Sequence, residues 1–174
     1  SPGASDRFVG VTEAFASDPG HEMFKRAMQD DWWDVVMVGL NLLNQSARDR
    51  VLAKTIEKDI GVLIMFAVRR ALSDRAVLEE LILDLRSRGI VDPDLVADDR
   101  ALDFLLREGG AESLPEAAYR FCRYEPGVHV VLSGTGKVEH LERNASALAL
   151  PPLPEEDVAR LKLMFQRVDD VSGN

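Results

Sequence analysis

Four short apolar runs, each followed by a longer stretch of helical periodicity, constrain the fold of this chain more than any other feature. The runs are Phe8-Val9-Gly10-Val11, Asp34-Val35-Val36-Met37-Val38, Gly61-Val62-Leu63-Ile64-Met65-Phe66 and Val130-Val131-Leu132. None alternates apolar with polar residues, so each reads as a strand buried on both faces. Strands of that kind belong to parallel sheets covered by helices. The intervening helices carry start signals and inward stripes. Ser17-Asp18-Pro19 opens one, with Met23, Phe24, Ala27 and Met28 facing inward. Ser46 or Asn44 caps the next, whose stripe is Val51, Leu52, Thr55 and Ile56. Ser73 or Asp74 opens a third, with Leu78, Leu81, Ile82 and Leu85 on its inner face.

The rhythm breaks between Arg88 and Gly110. Asp92-Pro93-Asp94 marks a turn, residues 102–106 a short helix, and Gly109-Gly110 a stop. Ser113-Leu114-Pro115-Glu116 then has the spacing of a capping box, with Pro tolerated in the first turn. The helix it starts ends near Pro126-Gly127. Pro151-Pro152-Leu153-Pro154 is a rigid connection, and Glu155-Glu156-Asp157 places acid at the start of a last helix through Arg167. No internal repeat, low-complexity segment or linker interrupts the chain, so residues 1–174 read as a single α/β domain. Periodicity alone leaves a doubly wound sheet and part of a (β/α)8 barrel both open.

Composition bounds the partners. A net charge of −9 argues against a nucleic-acid binder, because a phosphate backbone would be repelled overall. No segment approaches the ~20 apolar residues that span a bilayer, so no membrane partner is expected. The single cysteine, Cys122, rules out an internal disulfide and suits a reducing, cytoplasmic setting. It lies in an apolar stretch and reads as a buried structural thiol. The opening Ser1-Pro2-Gly3-Ala4-Ser5-Asp6 lacks the regions of a signal peptide and runs almost at once into a strand, as expected of a chain cut at its front.

The run Val130-Val131-Leu132-Ser133-Gly134-Thr135-Gly136-Lys137 stops at a Gly-rich turn, and a helical pattern begins at once. Such a junction points free backbone N–H groups and the positive end of a helix dipole at any anion in the turn. A P-loop is excluded, since Val138 stands where Ser or Thr is required and the upstream Gly spacing is missing. The plainer alternative is a turn whose glycines serve tight geometry alone.

Together with the segments Phe8-Val9-Gly10-Val11-Thr12-Glu13, Asp34 to Gln45 and Gly61 to Ser73, the stretch from Gly127 to Asn144 resembles, in order, the fifth to eighth strands of the aldo/keto reductases. The similarity runs from about residue 7 to about residue 165 and is weakest between Arg86 and Ser113. It implies a parallel-strand (β/α) half-barrel corresponding to strands 5–8 of a TIM barrel, a full barrel taking ~250 residues. It also implies NADP(H) as cofactor. Thr12 and Glu13 fall where relatives hold the nicotinamide carboxamide, and Phe66 where an aromatic stacks on the ring, with Met65 as the competing alignment. Ser133, Gly134 and Thr135 match the phosphate turn. Lys137 stands where a cation meets a cofactor phosphate, and Asn144 where relatives touch adenine.

The departures are substantial. Met37 replaces a common Gln, Leu40 a common aromatic, Arg143 a common Glu, and the usual Pro-Leu after the seventh strand is missing from Met65-Phe66-Ala67-Val68-Arg69-Arg70. The resemblance implies that the family's Asp, Tyr, Lys and His tetrad would lie on the first four strands, which this chain is expected to lack. His21, His129 and His140 offer no replacement, and Tyr119 and Tyr124 sit in or near a helix, away from strand C-terminal ends. Trp32-Trp33 read as packing residues and Arg69-Arg70 with Arg75 as a solvated basic edge, although these arginines could receive a carboxylate or phosphate. No catalytic residue and no metal site is assigned.

The expected function is the cofactor-binding half of an NADP(H)-dependent oxidoreductase acting on aldehyde or ketone groups, inactive by itself. The alternative is a non-catalytic half-barrel serving ligand binding or assembly. The partners implied are a missing N-terminal half-barrel or a second copy of the chain, and a small carbonyl substrate in the intact enzyme.

Overall fold

The computed structural model describes residues 8–13, 19–98 and 100–171. Ser17, Asp18 and the opening six residues lie outside the described residues. Four strands form one parallel sheet in the order β1-β2-β3-β4: β1 Gly10–Thr12, β2 Val35–Gly39, β3 Gly61–Met65 and β4 Val130–Val131. Gly10 pairs with Val35, Val35 with Gly61, and Leu63 with Val130. A doubly wound sheet reverses its strand order at a switch point. Here every strand lies beside its sequence neighbour, the order of a (β/α) barrel.

Helices fill the connections. Residues 19–21 make a 3-10 turn into α1 (Glu22–Ala27), which buries Phe24, Ala27 and Met28 and half-buries Met23. A π-helical turn, Arg48–Leu52, runs into α2 (Ala53–Glu57). Asp74 caps α3 (Arg75–Ser87), its Oδ1 accepting from the Ala76 N–H at 3.1 Å. Leu78, Ile82 and Leu85 are buried as the periodicity requires, and Leu81 is half-buried. Ser113 caps α4 (Leu114–Tyr124), its Oγ accepting from the Glu116 N–H at 3.3 Å. The reciprocal Glu116 bond goes to the Glu112 N–H. α5 (Val138–Ala149) follows β4, and α6 (Glu155–Phe165) closes the described chain.

Three expectations are corrected. Neither Ser46 nor Asn44 caps the helix after β2: Ala47 is the cap residue, and the two side chains bond to each other instead. Ile56 is 56% exposed. A π turn adds a residue to the helical repeat, so the stripe that buries Val51, Leu52 and Thr55 has rotated past Ile56. The strands are also not buried evenly. Val36, Val38, Val62 and Ile64 have no exposed surface beneath the helices, whereas Val35, Met37, Leu63 and Met65, on the opposite face, are only half-buried. β1 is an edge strand, and Phe8 beside it is 82% exposed.

One buried cation ties the helical layer together. The Arg120 guanidinium on α4 donates to the carbonyls of Gly110 (2.6 Å), Pro151 (2.8 Å) and Pro152 (3.1 Å), and pairs with Glu116 at 2.8 Å. It thereby supplies donors to the Pro-rich connection, whose residues 151 and 152 have no N–H of their own to exchange. Arg120→Met should cost about 1–3 kcal/mol, because three carbonyls and the half-buried Glu116 carboxylate lose the donor that joins them. Ser113→Ala, which removes only the cap of the same helix, should cost about 1 kcal/mol. Urea midpoints at constant m-value check both, and equal losses would show that the guanidinium carries no special share.

Candidate functional site

The candidate side chains collect at the C-terminal ends of the strands, in two clusters. The first surrounds Gly39, the last residue of β2. Glu13, one residue past β1, turns inward and is buried; its Oε2 accepts from the Gly39 N–H at 2.8 Å. Its Oε1 makes a very short contact with Nδ1 of His21, which is also buried. Thr12 is exposed, and its hydroxyl donates to the Glu13 carbonyl at 3.2 Å. Phe66 leaves β3 in the left-handed region, with φ of 66°. Its ring edge lies against Gly39, where a Cβ would stand 3.1 Å from Phe66 Cδ2 and 3.2 Å from Glu13 Oε2. An added Cβ would be tighter than ordinary contact against both side chains, so each would have to give by a few tenths of an ångström.

His21 was missed in the sequence, where it reads as a residue at a helix start. Its Nε2 lies 2.9 Å from Ser46 Oγ, and Ser46 Oγ donates to Asn44 Oδ1 at 2.6 Å. Asn44 is oriented by its Nδ2, which donates to the Val171 carbonyl at 2.8 Å, so Oδ1 faces Ser46. The Ser46 proton is therefore committed to Asn44, and Ser46 Oγ accepts from His21 Nε2–H. This Ser-His-Glu row superficially has the members of a nucleophilic triad, but its proton runs the wrong way for His21 to act as base toward Ser46. Its effect is to hold Glu13.

The second cluster lies after β4. Ser133 Oγ accepts from Tyr119 OH at 3.1 Å and from Asn144 Nδ2 at 2.9 Å. With both lone pairs engaged, the Ser133 hydroxyl hydrogen is free to donate. Tyr119 corrects the sequence reading. It is buried, and its hydroxyl reaches the strand end rather than remaining apart from it. Gly134, Thr135, Gly136 and Lys137 are exposed, and the Lys137 N–H donates to Thr135 Oγ1 at 3.2 Å. Neither Gly134 nor Gly136 adopts a positive φ, and a Cβ at either would meet no protein atom within 4 Å. Tight geometry does not account for these glycines. They leave open space above a turn that leads straight into α5, whose start has no side-chain cap.

An open cleft joins the two clusters, lined in part by Phe66, Arg69, Tyr119, Gly134, Thr135 and Asn144. The Arg69 guanidinium lies 4.4 Å above the centroid of Phe66. The expected solvated basic edge thus divides. Arg70 is exposed and 3.6 Å from Asp74, Arg75 pairs with Asp103 at 2.7 Å, and Arg69 is half-buried in the cleft. Burial holds the Arg69 guanidinium below its ordinary pKa. Cys122 is fully buried and donates to the Leu40 carbonyl, and burial pushes its thiol pKa up. Trp33 packs as expected and donates to the Ala27 carbonyl at 2.9 Å, while Trp32 is 64% exposed. Among the described residues, no group of three or more His, Cys, Asp or Glu side chains could hold a metal ion, and no helix is long and apolar enough to cross a membrane.

The sequence profile of the aldo/keto reductase family matches residues 9–164. The chain belongs to the aldo/keto reductase family. No curated protein matches it. Among solved structures, its fold is similar to the aldo-keto reductase of Bacillus halodurans in its holo form, with 17% identity and a TM-score of 0.57 over 90% of this chain and 50% of that one. It is also similar to an aldo/keto reductase from Klebsiella pneumoniae in complex with NADP and acetate, with 18% identity and a TM-score of 0.56 over 93% of this chain and 51% of that one. The chain therefore spans about half the length of these solved relatives.

Within this aldo/keto reductase fold, the residues singled out by resemblance separate cleanly. Glu13 and Phe66 meet at Gly39; Ser133 and Asn144 meet beside the open turn; Thr12 and Lys137 present exposed side chains next to one cluster each. Gly134→Ala and Gly136→Ala should leave thermal stability unchanged or raise it by about 0.4–1 kcal/mol, because no strain or clash opposes them. Gly39→Ala should cost about 1–3 kcal/mol through overpacking against Phe66. Thermal unfolding of the three variants checks this. Destabilisation by the turn variants would return those glycines to a purely structural role.

Proposed function

We propose that this chain is the C-terminal half of a (β/α)8 barrel, corresponding to strands five to eight, and supplies the cofactor-binding side of an NADP(H)-dependent oxidoreductase acting on aldehydes or ketones. The observation that carries the reading is the open turn at Gly134–Gly136. It has exposed backbone, free space above both glycines and a twelve-residue helix behind it, and Ser133 and Asn144 are already joined at its base. Such a turn favours an anion, through its N–H groups and the helix dipole. NADP(H) fits this donor set: Ser133, Gly134 and Thr135 would take phosphate oxygens, Lys137 the adenosine phosphate and Asn144 the adenine edge. Phe66 would stack on the nicotinamide, with Thr12 and Glu13 at the carboxamide.

When bound, the cofactor supplies hydride to the carbonyl carbon. This chain's own residues bind and orient it. We assign the proton donor to the other half-barrel, since neither Tyr119 nor His21 is free for that work: one is bonded to Ser133, the other to Glu13 and Ser46. The half-covered face carrying Val35, Met37, Leu63 and Met65, and the unpaired edges of β1 and β4, support assembly with that other half or with a second copy. A cytoplasmic setting accords with the buried free thiol. One observation favours the second reading, a non-catalytic binding or assembly module. Glu13 is tied to His21 and to the Gly39 N–H, which restricts what it can offer a carboxamide.

Calorimetric titration separates the readings. The chain should bind NADP(H), and Lys137→Glu should weaken NADP(H) roughly tenfold more than NADH by placing an anion near the adenosine phosphate. Equal weakening would remove Lys137 from that phosphate, and no binding of either nucleotide would favour the assembly module. By itself the chain should not reduce a panel of aldehydes with NADPH above a buffer control, because general acid catalysis worth ~10²–10⁴-fold is missing along with the groups that position substrate.

A further inference from the structure

The row Glu13–His21–Ser46–Asn44 ends at both sides on backbone groups that cannot exchange donor and acceptor roles, so its protons can be placed. Asn44 Nδ2 donates to the Val171 carbonyl at 2.8 Å, and Asn44 Oδ1 accepts from the Ser46 N–H at 3.1 Å. A carbonyl only accepts and an N–H only donates, which leaves the amide one orientation. Ser46 Oγ lies 2.6 Å from the same Oδ1 and directs its single hydrogen there. His21 Nε2, 2.9 Å from Ser46 Oγ, therefore carries a hydrogen of its own. At the other end the Gly39 N–H donates to Glu13 Oε2, and Oε1 meets His21 Nδ1. Both side chains are buried. Two facing lone pairs would repel there, so a hydrogen lies between Oε1 and Nδ1. Imidazole is a stronger base than a carboxylate, which puts that hydrogen on the ring.

We propose that His21 is doubly protonated and is the positioning residue of this strand end, holding Glu13 as a carboxylate against Gly39. Among the described residues, His21 is the ion-pair partner of Glu13. The cations near Gly20 face other acids, Lys25 pairing with Glu22 and Arg50 with Asp169. A buried carboxylate needs such a partner, and the pair as a whole is neutral. With Nδ1–H on Oε1 and the Gly39 N–H on Oε2, the carboxylate keeps a second lone pair on Oε2. Oε2 stands on the side of Gly39 toward which the Phe66 ring edge also turns. His21 thus fixes both the place of Glu13 and its character as an acceptor of N–H groups. Any consequence for a ligand rests on reading the Phe66 end of the cleft as the nicotinamide end.

The test reads the ring nitrogens of the ¹⁵N-labelled chain by NMR at neutral pH. His129, whose Nδ1 accepts from the Val62 N–H at 3.1 Å, is an internal reference for an unprotonated Nδ1. Both His21 nitrogens should be of the protonated type. In Glu13→Gln the new carbonyl must still meet the Gly39 N–H, so the amide NH2 faces His21. Nδ1 should then change to the unprotonated type while Nε2 stays protonated. A His21 Nδ1 resembling that of His129 in the unmutated chain overturns the proposal, whether or not any variant folds. His21→Leu should move the Gly39 amide resonance, and His21→Asn should restore it, because Asn tolerates left-handed backbone and keeps a donor toward Glu13. His21→Leu should also weaken NADP+ roughly tenfold and leave adenosine 2′,5′-bisphosphate, which has no nicotinamide, unchanged. Unaltered NADP+ affinity in that variant overturns the positioning role. Failure of the unmutated chain to bind NADP+ counts against the cofactor reading alone, because the ring and Gly39 spectra decide the role of His21 without it.

Discussion

The parallel pairing of β2 with β3 sets Gly39 opposite Met65, and the bare Cα of Gly39 decides what can gather at the strand ends. Because no Cβ intervenes, Phe66 can lay its ring edge there as the chain leaves β3, and Glu13 can reach across from β1 to the Gly39 N–H. Asn41 Nδ2 then donates to the Phe66 carbonyl at 3.2 Å, fixing the turn that aims the ring. Everything else at this end of the cleft is placed in relation to that contact: His21 through Glu13, Ser46 through His21, and Arg69 through the face of Phe66. Three strands are thus coupled at one atom-sized opening.

The strain follows the same geography. Among the described residues, three without glycine's freedom take positive φ: His21, Asp59 and Phe66. Left-handed backbone costs a residue with a Cβ roughly 1–2 kcal/mol. Asp59 stands in the turn before β3, whereas the other two belong to the site. His21 is held by hydrogen bonds from both ring nitrogens, and Phe66 by ring packing on one side and a guanidinium on the other. Unfavourable backbone persists where the surroundings over-determine it, and here it is side chains of the site that do so.

Local devices were legible in the sequence. Asp74 and Ser113 cap their helices because a cap acts within three residues of itself, and Leu78, Ile82 and Leu85 fall inward because period fixes face. The strand positions were legible too, and the Gly-rich turn after β4 is where the chain said it would be. The Glu13–His21–Ser46 row was not, because it joins residues 8 and 25 positions apart with no spacing that marks them. Tyr119 was misplaced for a related reason: its helix was correctly read, but only α4 lying against β4 brings its hydroxyl to Ser133, 14 residues on. Ile56 failed on phase, since the π turn moves the edge of the stripe past it while Thr55 stays inside. Arg69 failed on partnership, because a run of arginines does not reveal which of them finds an acid.

The uneven burial of the strands has a different cause. An apolar run predicts that both faces of a strand will be covered but is silent on what covers them. In β2 and β3 the face under the helices is fully buried, while among the described residues the face carrying Val35, Met37, Leu63 and Met65 is only half-buried. At the two edges, Phe8 is 82% exposed, Val130 45% and Leu132 38%. Closing a barrel removes unpaired edges and fills the interior with layers of side chains from alternate strands. Four strands cannot supply those layers alone. On the proposed reading, the two faces therefore have two owners. The helical face and the cofactor turn are finished within this chain, and can hold their geometry without help. The interior face, where substrate would meet hydride and proton donor, is completed only by strands from elsewhere, so assembly and catalysis depend on the same uncovered surface.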